Sequence, residues 1–230
     1  MKKIGLIGGM SWESTVVYYQ LLNRMARERL GGLHSADLLL WSFDFALIEK
    51  YQASGDWSGV TELMADAAGA LERGGADCIV ICTNTMHKMA DEVAASVEIP
   101  LIHIADATAQ AIKQTSCESP LLLATGYTME QDFYKGHLRD LHGIDVVVPA
   151  AKDRKTVHDV IYDELCRGIV REESKARYLE IVNASATDGV ILGCTEVGLL
   201  LTADDLTLPV FDTTQLHAQA ALDFALDSVL

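Results

Sequence analysis

Short runs of apolar residues recur along the chain, separated by longer stretches in which apolar and polar positions alternate with a helical period. The runs are "KKIGLIGG", "ADLLLWSFD", "DCIVICT", "PLIHI", "PLLLAT", "IDVVVP", "DGVILGC" and "LPVFDT". Continuous apolar runs of this length, set between helical segments, predict parallel strands buried on both faces. Helices are expected over 12–30, 57–74, 85–96, 105–115, 128–142, 151–167, 171–185, 195–201 and 214–229. The expected class is therefore α/β, with mainly parallel sheets covered by helices in three layers.

The pattern also echoes itself. "GLIGGMSWES" resembles "LLATGYTMEQ" from Leu122 to Gln131, and "IVICTNTMH" resembles "VILGCTEVG"; each repeats strand, small residues, hydroxyl and helix. The echo predicts two pseudo-symmetric α/β halves. The first spans 1–103 and is completed by the C-terminal strand and helix, 208–230, while the second spans 104–207. In open parallel sheets, ligands bind beyond the carboxyl ends of the strands, where the next helix presents unpaired backbone N–H groups. Both echoed stretches lie at such ends, so the active site is expected in the cleft between the halves.

Composition narrows the partners. Half of the 230 residues are apolar, enough for a full core. A formal net charge of -15 argues against nucleic acid or an anionic membrane, which would be repelled. A small acidic substrate stays compatible, because a pocket can be locally lined with amide donors. The opening "MKKIGLIGGMSWES" reads as a first buried strand, and no apolar run approaches membrane-spanning length. Five cysteines, Cys78, Cys82, Cys117, Cys166 and Cys194, form an odd set without an export signal, which points to a reduced cytoplasmic setting without disulfides. No metal is expected: there is no CxxC or HExxH, and His137 and His142 stand five apart, the wrong helical spacing for a shared ligand face.

The chemistry concentrates in the two echoed strand ends. Thr83, Asn84 and Thr85 follow one strand; Cys194, Thr195 and Glu196 occupy the corresponding places after the other. If the halves face each other, Thr83 and Cys194 are opposed proton carriers, while Asn84, Thr85 and Thr195 offer donors to a carboxylate. A thiol at a helix N-terminus is expected to have a lowered pKa, which would make Cys194 a base near neutral pH. Two proton carriers on opposite faces of one carbon suit racemisation.

The motifs "CTNTMH", "ILGCTEVGLL", "IGLIGGMSWEST" and "TMEQDFY" together resemble the cofactor-independent aspartate/glutamate racemase superfamily, over nearly the whole chain. The similarity extends to its L-aspartate/glutamate-specific and broad-specificity bacterial members. The resemblance implies a pseudo-symmetric fold, no pyridoxal phosphate, an amino-acid substrate and a homodimer. It also implies a catalytic pair of cysteines, the first directly before an Asn-Thr pair. Here that place is Thr83, with Cys82 one residue earlier. Neighbouring side chains on a strand end point to opposite sides, so only one of the two faces the substrate unless the turn begins there. Thr83 is the favoured one and Cys82 the alternative. With a threonine opposite Cys194, the enzyme is expected to favour one enantiomer, and the resemblance makes it the L form. The match further assigns Met10, Gln52, Tyr127 and Thr128 to the pocket. A neutral Gln52, with Glu164 in the second half, weakens strict aspartate specificity and admits other polar amino acids such as homoserine.

Other residues read more plainly. "GLIGGM" lacks the spacing of a dinucleotide loop, and its glycines serve close backbone approach. Ser11 and Ser14 read as helix N-terminal residues, and Asp44 as a cleft residue or a cap. His87 orients a catalytic group or merely opens a helix, and His103 is a core residue. Glu196 either holds a group beside Cys194 or favours its helix N-terminus. The rival functions on this sequence are a decarboxylase or maleate-type isomerase of the same fold, and an amino-acid-binding protein without catalysis.

Overall fold

The computed structural model describes residues 1–227. In chain order its elements are β1 (Ile4–Gly8), α1 (Trp12–Leu30), β2 (Leu38–Ser42), α2 (Phe45–Ser54), α3 (Trp57–Arg73), β3 (Cys78–Ile81), α4 (Ala90–Ala95), α5 (Ile104–Lys113), β4 (Pro120–Leu123), α6 (Gly126–Glu130), α7 (Asp132–His142), α8 (Ala151–Asp163), α9 (Glu172–Ala184), β5 (Gly189–Leu192), α10 (Val197–Leu200), β6 (Val210–Asp212) and α11 (Thr213–Leu226). Short 3₁₀ turns cover Thr85–Met89, Leu165–Arg167 and Ala203–Asp205. The chain forms two compact units, Met1–His103 with the segment from His217 onward, and Ile104–Leu216.

The first unit holds a parallel sheet in the order β2-β1-β3. Its strands read as continuous apolar runs because alternate side chains enter two different cores. Ile7, Ile79 and Ile81 pack with Val60, Met64, Ala67 and Leu71 of α3. Ile4, Leu6, Cys78, Val80 and Cys82 pack with Tyr18, Leu22 and Ala26 of α1 and with Ala218, Ala221, Leu222 and Ala225 of α11. α1 begins where the Ser11 side chain accepts the N–H of Ser14 and ends at Gly31, whose φ of 74° suits glycine.

The second unit holds the parallel sheet β4-β5-β6. Leu121, Leu122, Leu123, Val190, Ile191 and Leu192 form one core with Ile104 and Ile112 of α5, Leu138 of α7, Val157 and Ile161 of α8, and Tyr178 of α9. Asp188 aligns the strand starts by accepting the N–H groups of Glu118 and Ser119 at 2.7 and 2.9 Å.

Several expectations need correction. The strand at 210–212 pairs with β5, so it belongs to the second sheet and not to the first half. "PLIHI" and "IDVVVP" form single bridges, Ile79 with Leu101 and Leu121 with Val147, because each run is hemmed by a proline and Ile104 already starts α5. β2 is half open rather than buried on both faces, since it lies at the sheet edge and leaves Leu40 and Trp41 exposed. α2 was not foreseen; Asp44 caps it by accepting the N–H of Ala46 at 3.1 Å. The helix expected over 128–142 is broken at Gln131, which is extended at φ -82° and ψ 159°. The one expected over 151–167 ends at Asp163, where Glu164 leaves helical geometry. Of the helix expected over 195–201 only α10 forms. The end of the helix expected over 214–229 lies outside the described residues.

Candidate active site

Each unit gathers polar side chains at the carboxyl edge of its own sheet. In the first unit this edge is built from the residues after β1, β2 and β3. Gly9, at φ 86°, follows β1, and a Cβ there would lie 2.3 Å from the Phe43 carbonyl oxygen. Only glycine permits that approach. Thr15 Oγ1 then accepts the Gly9 N–H at 2.9 Å and donates to the Ser11 carbonyl at 3.0 Å, which fixes the turn carrying Met10. Met10 itself is buried among Ile48, Met86 and Met89.

After β3 the chain turns at once. The Thr83 N–H donates to the Ile81 carbonyl at 2.8 Å, and the His87 ring donates from Nδ1 to the Thr83 carbonyl at 2.8 Å. Cys82 shares the parity of Cys78 and Val80 and lies 1% exposed in the core between the sheet and α1 and α11. Burial pushes its thiol far above the ordinary cysteine value. Thr83, one residue on, is partly exposed. Asn84, Thr85 and Gln52 are buried, and Gln52 Oε1 has no hydrogen-bond partner. A buried acceptor of this kind costs stability unless a ligand or water supplies the donor.

In the second unit, Thr125 follows β4 and caps α6, accepting the Thr128 N–H at 3.4 Å. Its hydroxyl lies 3.2 Å from that of Thr128. Ser11 and Ser14 make the same pair after β1, at 3.1 Å, so the echoed stretches share a hydroxyl at the cap and another three residues on. The Gly126 N–H donates to His158 Nδ1 at 3.1 Å, and Tyr127 meets the His158 ring edge to face.

Beyond β5 lie Cys194, Thr195 and Glu196. Cys194 Sγ donates to Glu196 Oε2 at 2.9 Å, and Thr195 Oγ1 donates to the same oxygen at 3.0 Å. Glu196 is 4% exposed. The expected lowering of the Cys194 pKa is corrected by this geometry: burial, and then the Glu196 carboxylate, push the thiol well above its ordinary value. The helix that was to lower it has only four residues and starts at Val197, so its dipole is small. The resting group is a thiol with a carboxylate waiting beside it. Tyr178, fully buried, and Tyr162, partly buried, lie in the field of Cys194 and are themselves raised, chiefly by desolvation.

A few residues escaped the sequence reading. Thr125 was legible from the echo, which puts a hydroxyl after each first strand. His217 and Tyr18, which pack behind Thr83 through His87, carry no motif and are recognisable only once α1 and α11 share one face of the sheet. His137 and His142, five apart, both reach Asp106 Oδ1 at 2.6 Å, since Asp106 projects from α5 toward the last turns of α7.

A family model for Asp/Glu/hydantoin racemases matches residues 7–221. The chain belongs to this family. A Yersinia pestis protein described provisionally as an Asp/Glu racemase is 52% identical, with a TM-score of 0.92 over 98% of this chain and 100% of that one. An aspartate racemase homologue from Pyrococcus horikoshii OT3 is 34% identical, with a TM-score of 0.84 over 98% and 99% of the two chains. The aspartate racemase of Picrophilus torridus, at 24% identity and a TM-score of 0.76 over 98% and 94%, shares the fold. The racemase of this chain is thus an isomerase that acts on amino acids without pyridoxal phosphate. Among its described residues no helix is long and apolar enough to cross a membrane.

Proposed function

We propose that this racemase interconverts the L and D forms of aspartate, glutamate or other polar amino acids such as homoserine, by proton transfer at both faces of the α-carbon. Cys194 and Thr83 are the two proton carriers. The observation that carries the reading is the 2.9 Å contact between the Cys194 thiol and the buried Glu196 carboxylate. Glu196 takes the thiol proton when substrate enters, and the thiolate then removes the α-hydrogen of the L enantiomer. Thr83 passes a proton to the opposite face and recovers one from water, and the hydroxide so formed is neutralised by the proton that Glu196 returns to solvent. A hydroxyl is a weaker base than a thiolate, so the α-hydrogen is exchanged faster from the L form, which Cys194 deprotonates, than from the D form.

Asn84, Thr85, Thr195 and Thr128 hold the α-carboxylate through amide and hydroxyl donors. The orphaned Gln52 oxygen accepts from the ammonium group, and Met10 and Tyr127 close the apolar sides. The two compact units serve as the two halves of the enzyme. The working form is a cytoplasmic homodimer, the dimer supported by an apolar stripe on α1, where Trp12, Val16 and Tyr19 are exposed at helical spacing.

The test is proton NMR of L- and D-glutamate, aspartate and homoserine in heavy water with reduced protein. Loss of the α-hydrogen signal, faster from the L series and abolished by Cys194→Ser, is expected. Full exchange in Cys194→Ser would remove the assignment of the base. No exchange with any of these amino acids would remove racemisation of them.

A further inference from the structure

We propose that His87 is a positioning residue that holds the Thr83 turn in register through its Nδ1–H, and that His103 and His217 wedge its ring in place. The inference rests on the racemase reading to the extent that Thr83 is the proton relay. A carbonyl can only accept, so the 2.8 Å contact from the Thr83 carbonyl requires the hydrogen of His87 on Nδ1. The same residue is tied locally, its backbone N–H donating to the Asn84 carbonyl at 3.1 Å. His87 thus holds two successive backbone carbonyls, those of Thr83 and Asn84.

What holds the ring is packing with two further imidazoles. His103 lies 4.7 Å away at 74°, and His217 lies 5.4 Å away at 67°, both edge to face. His217 is itself immobile. Its Nε2 donates to the Ile102 carbonyl at 2.7 Å, so its Nδ1 is the acceptor for the Tyr18 hydroxyl at 2.9 Å. Both ring nitrogens are committed and the residue is fully buried. The two histidines therefore carry opposite tautomers, Nδ1–H on His87 and Nε2–H on His217. Rotation of the His87 ring away from Thr83 would drive it into His103 and His217. Through Ile102, whose N–H donates to the Ile79 carbonyl at 2.9 Å, and through Tyr18 of α1, this wedge is anchored to β3 and to the helix that follows β1. The turn that presents the Thr83 hydroxyl is braced from behind by side chains that never touch the substrate.

The experiment compares His87→Leu, His87→Asn and His87→Gln with the wild type. Asn places a donor where Nδ1 stands, Gln places one nearer Nε2, and Leu fills the space without donating. In heavy water at saturating L-substrate, His87→Leu and His87→Gln are expected to lose exchange rate by about 100-fold, as for a misplaced catalytic group, while His87→Asn stays within about tenfold of wild type. KM changes little in all three. Two-bond ¹⁵N–¹H spectra of the imidazoles report the tautomers without turnover, and His87 should appear as Nδ1–H with His217 as Nε2–H. A wild type that exchanges nothing overturns the racemase reading. Wild-type exchange combined with an Nε2–H His87, or with equal rates in the Leu and Asn variants, overturns the role of His87.

Discussion

Replacing Glu196 by glutamine separates two effects that the wild-type carboxylate combines. It removes the charge that keeps Cys194 protonated, and it removes the acceptor for the thiol proton. With Sγ and Oε2 2.9 Å apart, a thiolate and a carboxylate repel by about 6 kcal/mol at an effective dielectric of 20. If half of that survives relaxation, the thiolate population at a fixed pH rises by about 100-fold in Glu196→Gln. Thiolate nucleophilicity falls as its pKa falls, so the net gain in alkylation rate is about tenfold. Iodoacetamide labelling at pH 7.5, read by mass spectrometry of the Cys194 peptide, measures that rate directly. The same variant should exchange the α-hydrogen of its L-substrate about 100-fold more slowly, because the general base is gone. Misfolding would also speed alkylation, but it would expose the buried Cys82 as well, so faster labelling at Cys194 with unchanged labelling at Cys82 isolates the effect of the charge. Alkylation that is unchanged or slower in the glutamine variant would refute the idea that Glu196 raises the thiol.

Two further outcomes are expected. Burial pushes His217 down to about 4 from 6.5, so between those values the unfolded chain binds a proton that the folded chain does not. Stability is then full above pH 6.5 and lost as pH falls, by about 3 kcal/mol at and below pH 4. Urea unfolding of wild type against the Tyr18→Phe/His217→Leu pair should show a flatter acid limb in the pair, and parallel limbs would dismiss His217 as the cause. Trp12→Glu, on the exposed stripe of α1, should convert a dimer into a folded monomer by light scattering. A monomeric wild type at micromolar concentration would remove the dimer.

The sequence carried the class and most of the strands because apolar runs bounded by glycine and proline leave little freedom. It also carried the residues at the strand ends, since Thr83 and Cys194 each come one residue, Cys82 or Gly193, after the ends of β3 and β5. It could not carry pairing. Nothing in "LPVFDT" says that β6 joins β5 rather than the first sheet, because a parallel strand's neighbour is chosen by distant residues. Nor did it carry the state of Cys194: the local rule for a thiol before a helix assumes a long dipole and an open site, whereas a four-residue helix and a carboxylate two positions on reverse the sign. Glu196 was visible as a residue, but its direction was not. The bracing histidines were invisible for a related reason, as His87, His103 and His217 meet only after α11 has returned to the first sheet.

That return sets an order of assembly. One face of the first sheet, with Ile4, Leu6 and Val80, is covered by α11 as well as α1, and Lys2 N–H bonds the Ala225 carbonyl at 2.9 Å. On the ribosome those residues emerge early and wait while all of Ile104–Leu216 is made, roughly 6 to 23 s at 5–20 residues per second. The second unit is contiguous and can fold during that interval. The first stays unsealed until α11 leaves the exit tunnel, so the nascent chain carries an adhesive surface throughout the synthesis of the second unit. Its yield in the cell should depend on whatever shields that surface in the meantime.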